Sequence, residues 1–210
     1  MAIRVLLADD HRMVRQGLKI VLEREGFNVV GEASNGQEAA RMAEELMPDI
    51  AVLDLAMPLM NGINVARAIR HSASHTRIII LTVHTETPYV LEALRTGIKG
   101  YVLKRCAAEE LVHAIREVLR GCTFLSSGIS DVVVDAYLNT PKSVPETLSA
   151  RELQVLQLVA EGKTTKEVAC LLNISPKTAE SHRTHIMEKL ELHETASLVR
   201  YAVRRGVIEV

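Results

Sequence analysis

At 210 residues the chain has room for two small domains, and its 48% apolar content is ample for their cores. Three scattered cysteines, Cys106, Cys122 and Cys170, fit neither a metal spacing nor a disulfide framework, and suit a reducing cytosol. Arg4 and the Asp9-Asp10 pair interrupt the early apolar run, so no signal peptide is expected; no stretch is long enough to span a bilayer, and a cytoplasmic location is expected.

The first half alternates strand and helix patterns. Strands are expected from near Ile3, Phe27, Ile50, Ile78 and Gly100. The first helix spans about Met13 to Glu25, with Val14, Leu18, Val21 and Leu22 on one stripe and Gly26 as its stop. The second has Asn35 as N-cap with Glu38 three residues on. The third follows Gly62, the fourth starts near Pro88 and ends at Gly97, and the fifth carries Leu111, Val112, Ile115, Val118 and Leu119 before Gly121. The runs IAVLD and IIILT are continuously apolar, as strands covered on both faces must be. Five βα units predict a doubly wound parallel sheet in the flavodoxin-like order 2-1-3-4-5.

Residues 123–147 break this alternation and read as a linker with one short helix, Val132 to Leu138, before Asn139, Pro141 and Pro145. Four helices follow in residues 148–210. Ser149 with Glu152 and Thr164 with Glu167 form capping boxes that open the first two. Ser175 caps the third, with Pro176 at its first position, and it runs to about Leu190. The fourth spans about Glu194 to Arg205. Two helices joined by the tight turn at Asn173-Ile174-Ser175 have the helix-turn-helix layout.

The strand ends carry the chemistry. Asp9 and Asp10 close the first strand, Asp54 the third and Thr82 the fourth, and Lys104 follows the fifth. In an open parallel sheet these ends converge where ligands bind. Three carboxylates gathered there repel one another unless a cation joins them, and oxygen ligands of this kind suit Mg²⁺. A carboxylate held there beside a Lys and a Thr is arranged to accept a phosphoryl group. His71, His75, His84 and His113 show no ligand spacing, and no metal is expected at them.

On Asp9-Asp10, Asp54, Met57-Pro58 with Gly62, Thr82 and Tyr101-Val-Leu-Lys104, residues 1–122 resemble the receiver domain of a bacterial two-component response regulator. Residues 148–210 resemble the helix-turn-helix output domain of the NarL/FixJ, or LuxR-type, branch. The resemblance implies that Asp54 accepts the phosphoryl group with help from Lys104 and Thr82. It implies that Asp10, Asp54 and the backbone carbonyl of Ala56 bind Mg²⁺, with Asp9 reaching it through water, and that Thr82 and Tyr101 are the switch residues, drawn inward on phosphorylation. Two positions depart from the common pattern. Val83 follows the switch Thr where many receivers have a small residue, and Arg105 follows Lys104 where Pro is frequent.

In the third C-terminal helix Ala179, His182, Ile186 and Leu190 share one stripe, which is assigned to packing. The opposite face shows Lys177, Glu180, Ser181 and Thr184, the positions that contact bases in the related family. Thr178, Arg183 and Lys189 lie beside that face, placed to reach phosphates. Residues 148–210 hold nine basic and eight acidic residues, so DNA binding rests on a local patch and on dimerisation. One helix reads only a few base pairs, so a homodimer on an inverted-repeat double-stranded DNA site is expected. The expected protein is a transcriptional regulator phosphorylated by a sensor histidine kinase, turning over no external substrate. Two alternatives remain from sequence: a regulator controlled by protein or ligand without phosphate, and a phosphate-sink or interaction protein that does not bind DNA.

Overall fold

A computed structural model describes residues 2–73, 75–131, 133–134, 148–204 and 207–208. The chain divides into two compact units, residues 1–140 and 141–210.

In the first unit five strands, β1 (Arg4–Ala8), β2 (Asn28–Ala33), β3 (Ile50–Asp54), β4 (Arg77–Thr82) and β5 (Gly100–Leu103), alternate with α1 (Arg12–Arg24), α2 (Gly36–Leu46), α3 (Gly62–Ser72), α4 (Thr87–Arg95) and α5 (Ala107–Leu119). All strand pairs are parallel, and the order 2-1-3-4-5 is the expected one. Side-chain alternation splits the core in two. Leu6, Ala8, Ala51, Leu53, Ile78 and Ile80 face α2, α3 and α4, where Ala39, Ile69 and Val90 pack. Val5, Leu7, Ile50, Val52, Ile79 and Leu81 face α1 and α5, where Leu18, Leu22, Leu111 and Ile115 pack. Central strands are therefore apolar on both faces, and only their ends are left for polar groups.

The structure adds a sixth strand, β6 (Phe124–Leu125), which pairs with β5 as Gly100 with Phe124 and Tyr101 with Leu125. The sheet thus extends past residue 122, into the segment expected to be linker. The pairing is only two residues long and carries no alternation of its own, so it is visible only against its partner strand. Residues 129–131 and 133–134 are helical, and the rest of the helix expected from Val132 to Leu138 lies outside the described residues.

The second unit holds α6 (Ala150–Ala160), α7 (Thr165–Leu171), α8 (Pro176–Lys189) and α9 (Thr195–Arg204). Both predicted capping boxes are present, Ser149 with Glu152 and Thr164 with Glu167. Asn173, in the turn between α7 and α8, takes φ 51°, a left-handed conformation that Asn tolerates better than most residues. Val155, Leu156, Val168, Ala179, Ile186, Leu198 and Ala202 make the core of this unit. Among the described residues, no helix is long and apolar enough to cross a membrane.

Candidate phosphorylation site and nucleic-acid interface

Parallel register brings the strand ends to one edge: Ala8 pairs with Leu53, Asp54 with Leu81, and Thr82 with Leu103. Asp54 is 3% exposed. Gly62, the first residue of α3, passes so close behind it that a Cβ there would stand 2.2 Å from the Asp54 carbonyl oxygen, so only glycine allows this approach.

The Lys104 ammonium lies 2.7 Å from Asp54 Oδ2 and 3.0 Å from Asp9 Oδ2, and bridges the two carboxylates. Asp9 is buried, and its Oδ1 accepts from the His11 amide at 2.8 Å, while its carbonyl accepts from the Arg15 guanidinium. Asp10 points outward and meets His11 Nδ1 at 2.8 Å. Carboxylate and imidazole atoms of Asp9, Asp10, His11 and Asp54 all lie within 4.8 Å of one another. Burial pushes the Asp54 carboxyl up to about 7; the Lys104 charge opposes that rise, and the Asp9 and Asp10 carboxylates add to it. Burial works to lower the Lys104 amine, and Asp54 and Asp9 outweigh it, leaving it raised. One ammonium is set between two of the three clustered carboxylates, so the donor set fits a hard divalent cation.

Thr82 is fully buried, and its hydroxyl oxygen accepts from the His84 amide at 3.1 Å. Tyr101 is also fully buried, and its hydroxyl donates to the His84 carbonyl at 3.1 Å. Burial raises the Tyr101 hydroxyl far above its ordinary value, so it stays a donor. Tyr101 therefore stands inward in this structure, its ring packed with Leu103 and Tyr89 in the core. Ala56 is buried two residues after Asp54, whereas Val83 is exposed, turned away from the core. Lys104–Cys106 form a 3₁₀ turn, and peptide bonds among the described residues are trans. Sequence reasoning missed His11 and His84. Direct adjacency to Asp10 was the available signal for the first; His84 acts through its backbone, which leaves none.

In the second unit Ala179 and Ile186 are buried and His182 and Leu190 half-buried, as the packing stripe requires. Lys177, Thr178, Glu180, Ser181 and Thr184 are exposed along the opposite face of α8, and Arg183 is half-buried. Several have partners within the domain. The Thr178 hydroxyl lies 2.8 Å from that of Ser175, and Glu180 Oε2 accepts from the Thr165 hydroxyl at 2.9 Å. The Thr184 hydroxyl donates to the Glu180 carbonyl, and the Arg183 guanidinium to Thr195 Oγ1. Lys189 does not project freely toward phosphates. Its ammonium is held 3.0 Å from Glu152 Oε2, in the first turn of α6.

Residues 5–116 match the family model described as "Response regulator receiver domain", and residues 146–202 match "Bacterial regulatory proteins, luxR family". The response regulator UvrY of Escherichia coli strain K12 is 36% identical over 208 residues, covering 98% of this chain and 95% of that protein. The chain is a two-component response regulator of the NarL/FixJ, LuxR-type branch. The oxygen regulatory protein NreC of Staphylococcus carnosus is likewise 36% identical, over 98% of this chain and 99% of its own length. Among solved structures, RcsB from Salmonella enterica serovar Typhimurium, bound to promoter rprA with the phosphomimetic BeF3-, superposes with a TM-score of 0.68 at 29% identity, over 96% of this chain and 98% of that one. Receiver and LuxR-type regions in one chain make this response regulator a phosphorylation-controlled transcription regulator. The alternatives of phosphate-independent control and of a sink that ignores DNA find no support in that pairing.

Proposed function

We propose that Asp54 is the phosphoacceptor of this response regulator, charged by a sensor histidine kinase, and that its phosphorylation controls binding of a homodimer to an inverted-repeat DNA site. The observation that carries the reading is the buried Asp54 carboxylate bridged to Asp9 by Lys104 at the sheet edge. In the transfer, an Asp54 carboxylate oxygen bonds to phosphorus as the bond to the donor's leaving group breaks. Lys104 leaves the carboxylate and neutralises the phosphoryl oxygens, and the Thr82 hydroxyl donates to one of them. Tyr101, already inward, holds the His84 backbone that also anchors Thr82. Asp10, Asp54 and the Ala56 carbonyl would hold Mg²⁺, with Asp9 engaged through water. Such a cation, when bound, supplies positive charge for the acceptor and the transferred group. The receiver works on itself and on no external substrate, in the cytoplasm.

In α8, Lys177, Glu180, Ser181 and Thr184 face the major groove, and Thr178 and Arg183 face phosphates. RcsB is reported bound to a promoter and as dimers on DNA, which supports a DNA-bound dimer for this relative. Labelling with acetyl phosphate, read by intact mass, tests the reading: wild-type protein gains one phosphate only with Mg²⁺ present and then binds DNA more tightly, whereas Asp54→Asn does neither. Undiminished labelling of Asp54→Asn would reject it.

A further inference from the structure

We infer that Ser126 is a positioning residue for Lys104, and that through Ser126 the phosphorylation site is coupled to segment 124–129, where the chain continues out of the sheet. The inference rests on the reading of Asp54 and Lys104 above.

Leu103 is the last residue of β5, directly before Lys104. Its amide donates to Ser126 Oγ at 3.1 Å, across 23 positions of sequence. The Ser126 hydroxyl in turn donates to the Glu110 carboxylate on α5. With one bond received and one given, the orientation of this hydroxyl is fixed from both sides. Ser126 is 1% exposed, so the Leu103 amide has no water to replace it. The same segment is bound to β5 elsewhere. The Phe124 amide donates to the Lys99 carbonyl at 2.8 Å, and the Ser126 amide to the Tyr101 carbonyl at 2.9 Å. Ile129 is fully buried in the cluster that contains Tyr101 and Leu103, and its amide donates to the Ser126 carbonyl. Arg105, on the other side of Lys104, runs close to Gly128: a Cβ there would stand 3.8 Å from its guanidinium.

Lys104 is thus suspended between two strands. On one side Leu103 pairs with Thr82 in β4; on the other its amide ends at Ser126. Any backbone movement that accompanies the shift of Lys104 from the carboxylates onto a phosphoryl group is felt first at Leu103, the end of β5. The Ser126 bond then either follows or breaks, and a broken bond strands a buried amide, which costs free energy. Segment 124–129 joins the sheet along one edge only, so a shift at the end of β5 passes to it through these bonds. Coupling of this kind is reciprocal: whatever phosphate does to the segment, the segment does to phosphorylation.

Full-length protein with Mg²⁺ and acetyl phosphate tests this in one set of samples, with Asp54 labelling followed by intact mass and amide exchange of residues 124–129 followed by mass spectrometry. Phosphorylation of the wild type is expected to change exchange in that segment by about threefold or more. Ser126→Ala is expected to label about three- to tenfold more slowly, the weight of one positioning hydrogen bond, and to lose the phosphate-dependent change; Ser126→Thr restores both. Glu110→Ala, at a half-exposed site on α5, is expected to shift both readouts in the same direction should Ser126→Ala fail to fold. Wild-type labelling rates in Ser126→Ala, or in Glu110→Ala where that variant stands in, overturn the inference. So does wild-type exchange that is identical with and without phosphate. Wild-type protein that takes no label at all overturns the Asp54 reading and the coupling together, and is recognised before any variant is compared.

Discussion

Lys189, at the C-terminal end of α8, closes onto Glu152 in the first turn of α6, with Nζ 3.0 Å from Oε2. Glu152 is also the returning member of a capping box, accepting from the Ser149 amide at 2.7 Å. Burial works to raise its carboxyl, and the Ser149 amide, the Lys189 ammonium and the Ser149 hydroxyl outweigh that, holding it down at about 2. Lys189 is 34% exposed on its side chain against 7% for Glu152, so the pair is neither a free surface pair nor a fully buried one. It ties α8, the longest helix of this unit, to α6.

A pH dependence follows. Because the folded carboxyl is depressed, its stabilisation is fully present above the unfolded value near 4.5 and is lost as pH falls toward 2. Glu152→Gln should therefore be less stable than wild type at pH 6, by about 1–3 kcal/mol. The two proteins should converge as pH falls through that window. Denaturant unfolding at several pH values measures the difference, in which the other carboxylates cancel. A gap that stays constant from pH 6 to pH 2 would show that the charge contributes nothing. Lys189→Met should cost about 1–2 kcal/mol at neutral pH and leave the salt dependence of DNA binding close to wild type. A clearly flatter salt slope would mean that Lys189 leaves Glu152 for a phosphate.

Asp9 and Asp10 should differ in kind. Asp10 is exposed and meets only His11 among the described ion pairs, so Asp10→Ala should weaken Mg²⁺ binding and leave the melting temperature almost unchanged. Asp9 holds both the His11 amide and Lys104, so Asp9→Ala should lower the melting temperature by several degrees as well, the scale of about 1 kcal/mol in a small domain. Calorimetric titration with Mg²⁺ and a thermal melt on each variant decide it. Equal melts for the two variants would contradict the placement of Asp9.

Tyr101→Phe removes the bond to the His84 carbonyl and keeps the ring. A loss of about 1 kcal/mol is expected in unfolding, against about 3–5 kcal/mol for Tyr101→Ala, which also opens a cavity. Stability of Tyr101→Phe equal to wild type would mean that the hydroxyl does not anchor the segment after Thr82.

Features set by local spacing were readable in the sequence. Ser149 with Glu152 and Thr164 with Glu167 lie three residues apart on one chain segment, and both boxes form. The apolar runs ending at Asp54 and Thr82 announce buried strands, and a parallel sheet carries their ends to one edge. What sequence did not reveal depends on distant partners. Phe124–Leu125 become a strand only because β5 offers a free edge, and Lys189 finds Glu152 across 37 positions. The inward place of Tyr101 is a rotamer choice fixed by His84, and residue type leaves it open.

Glu180 carries the prediction on sequence reading. A carboxylate near phosphates is repelled, so it cannot raise general affinity; facing the groove, it can accept from a cytosine amino group. Its Oε2 already accepts from the Thr165 hydroxyl on α7, which fixes the side chain before DNA arrives and leaves Oε1 for a base. Glu180→Ala should relax base preference by roughly 1–3 kcal/mol at one position in each half-site, with non-specific affinity equal or higher. Thr165→Val should act in the same direction and more weakly, since it frees the carboxylate without removing it. Selection of binding sites from random DNA, for both variants and wild type, reads this directly. If Glu180→Ala keeps the wild-type preference at every position, the carboxylate belongs to the Thr165 contact alone and the reading face of α8 lies elsewhere.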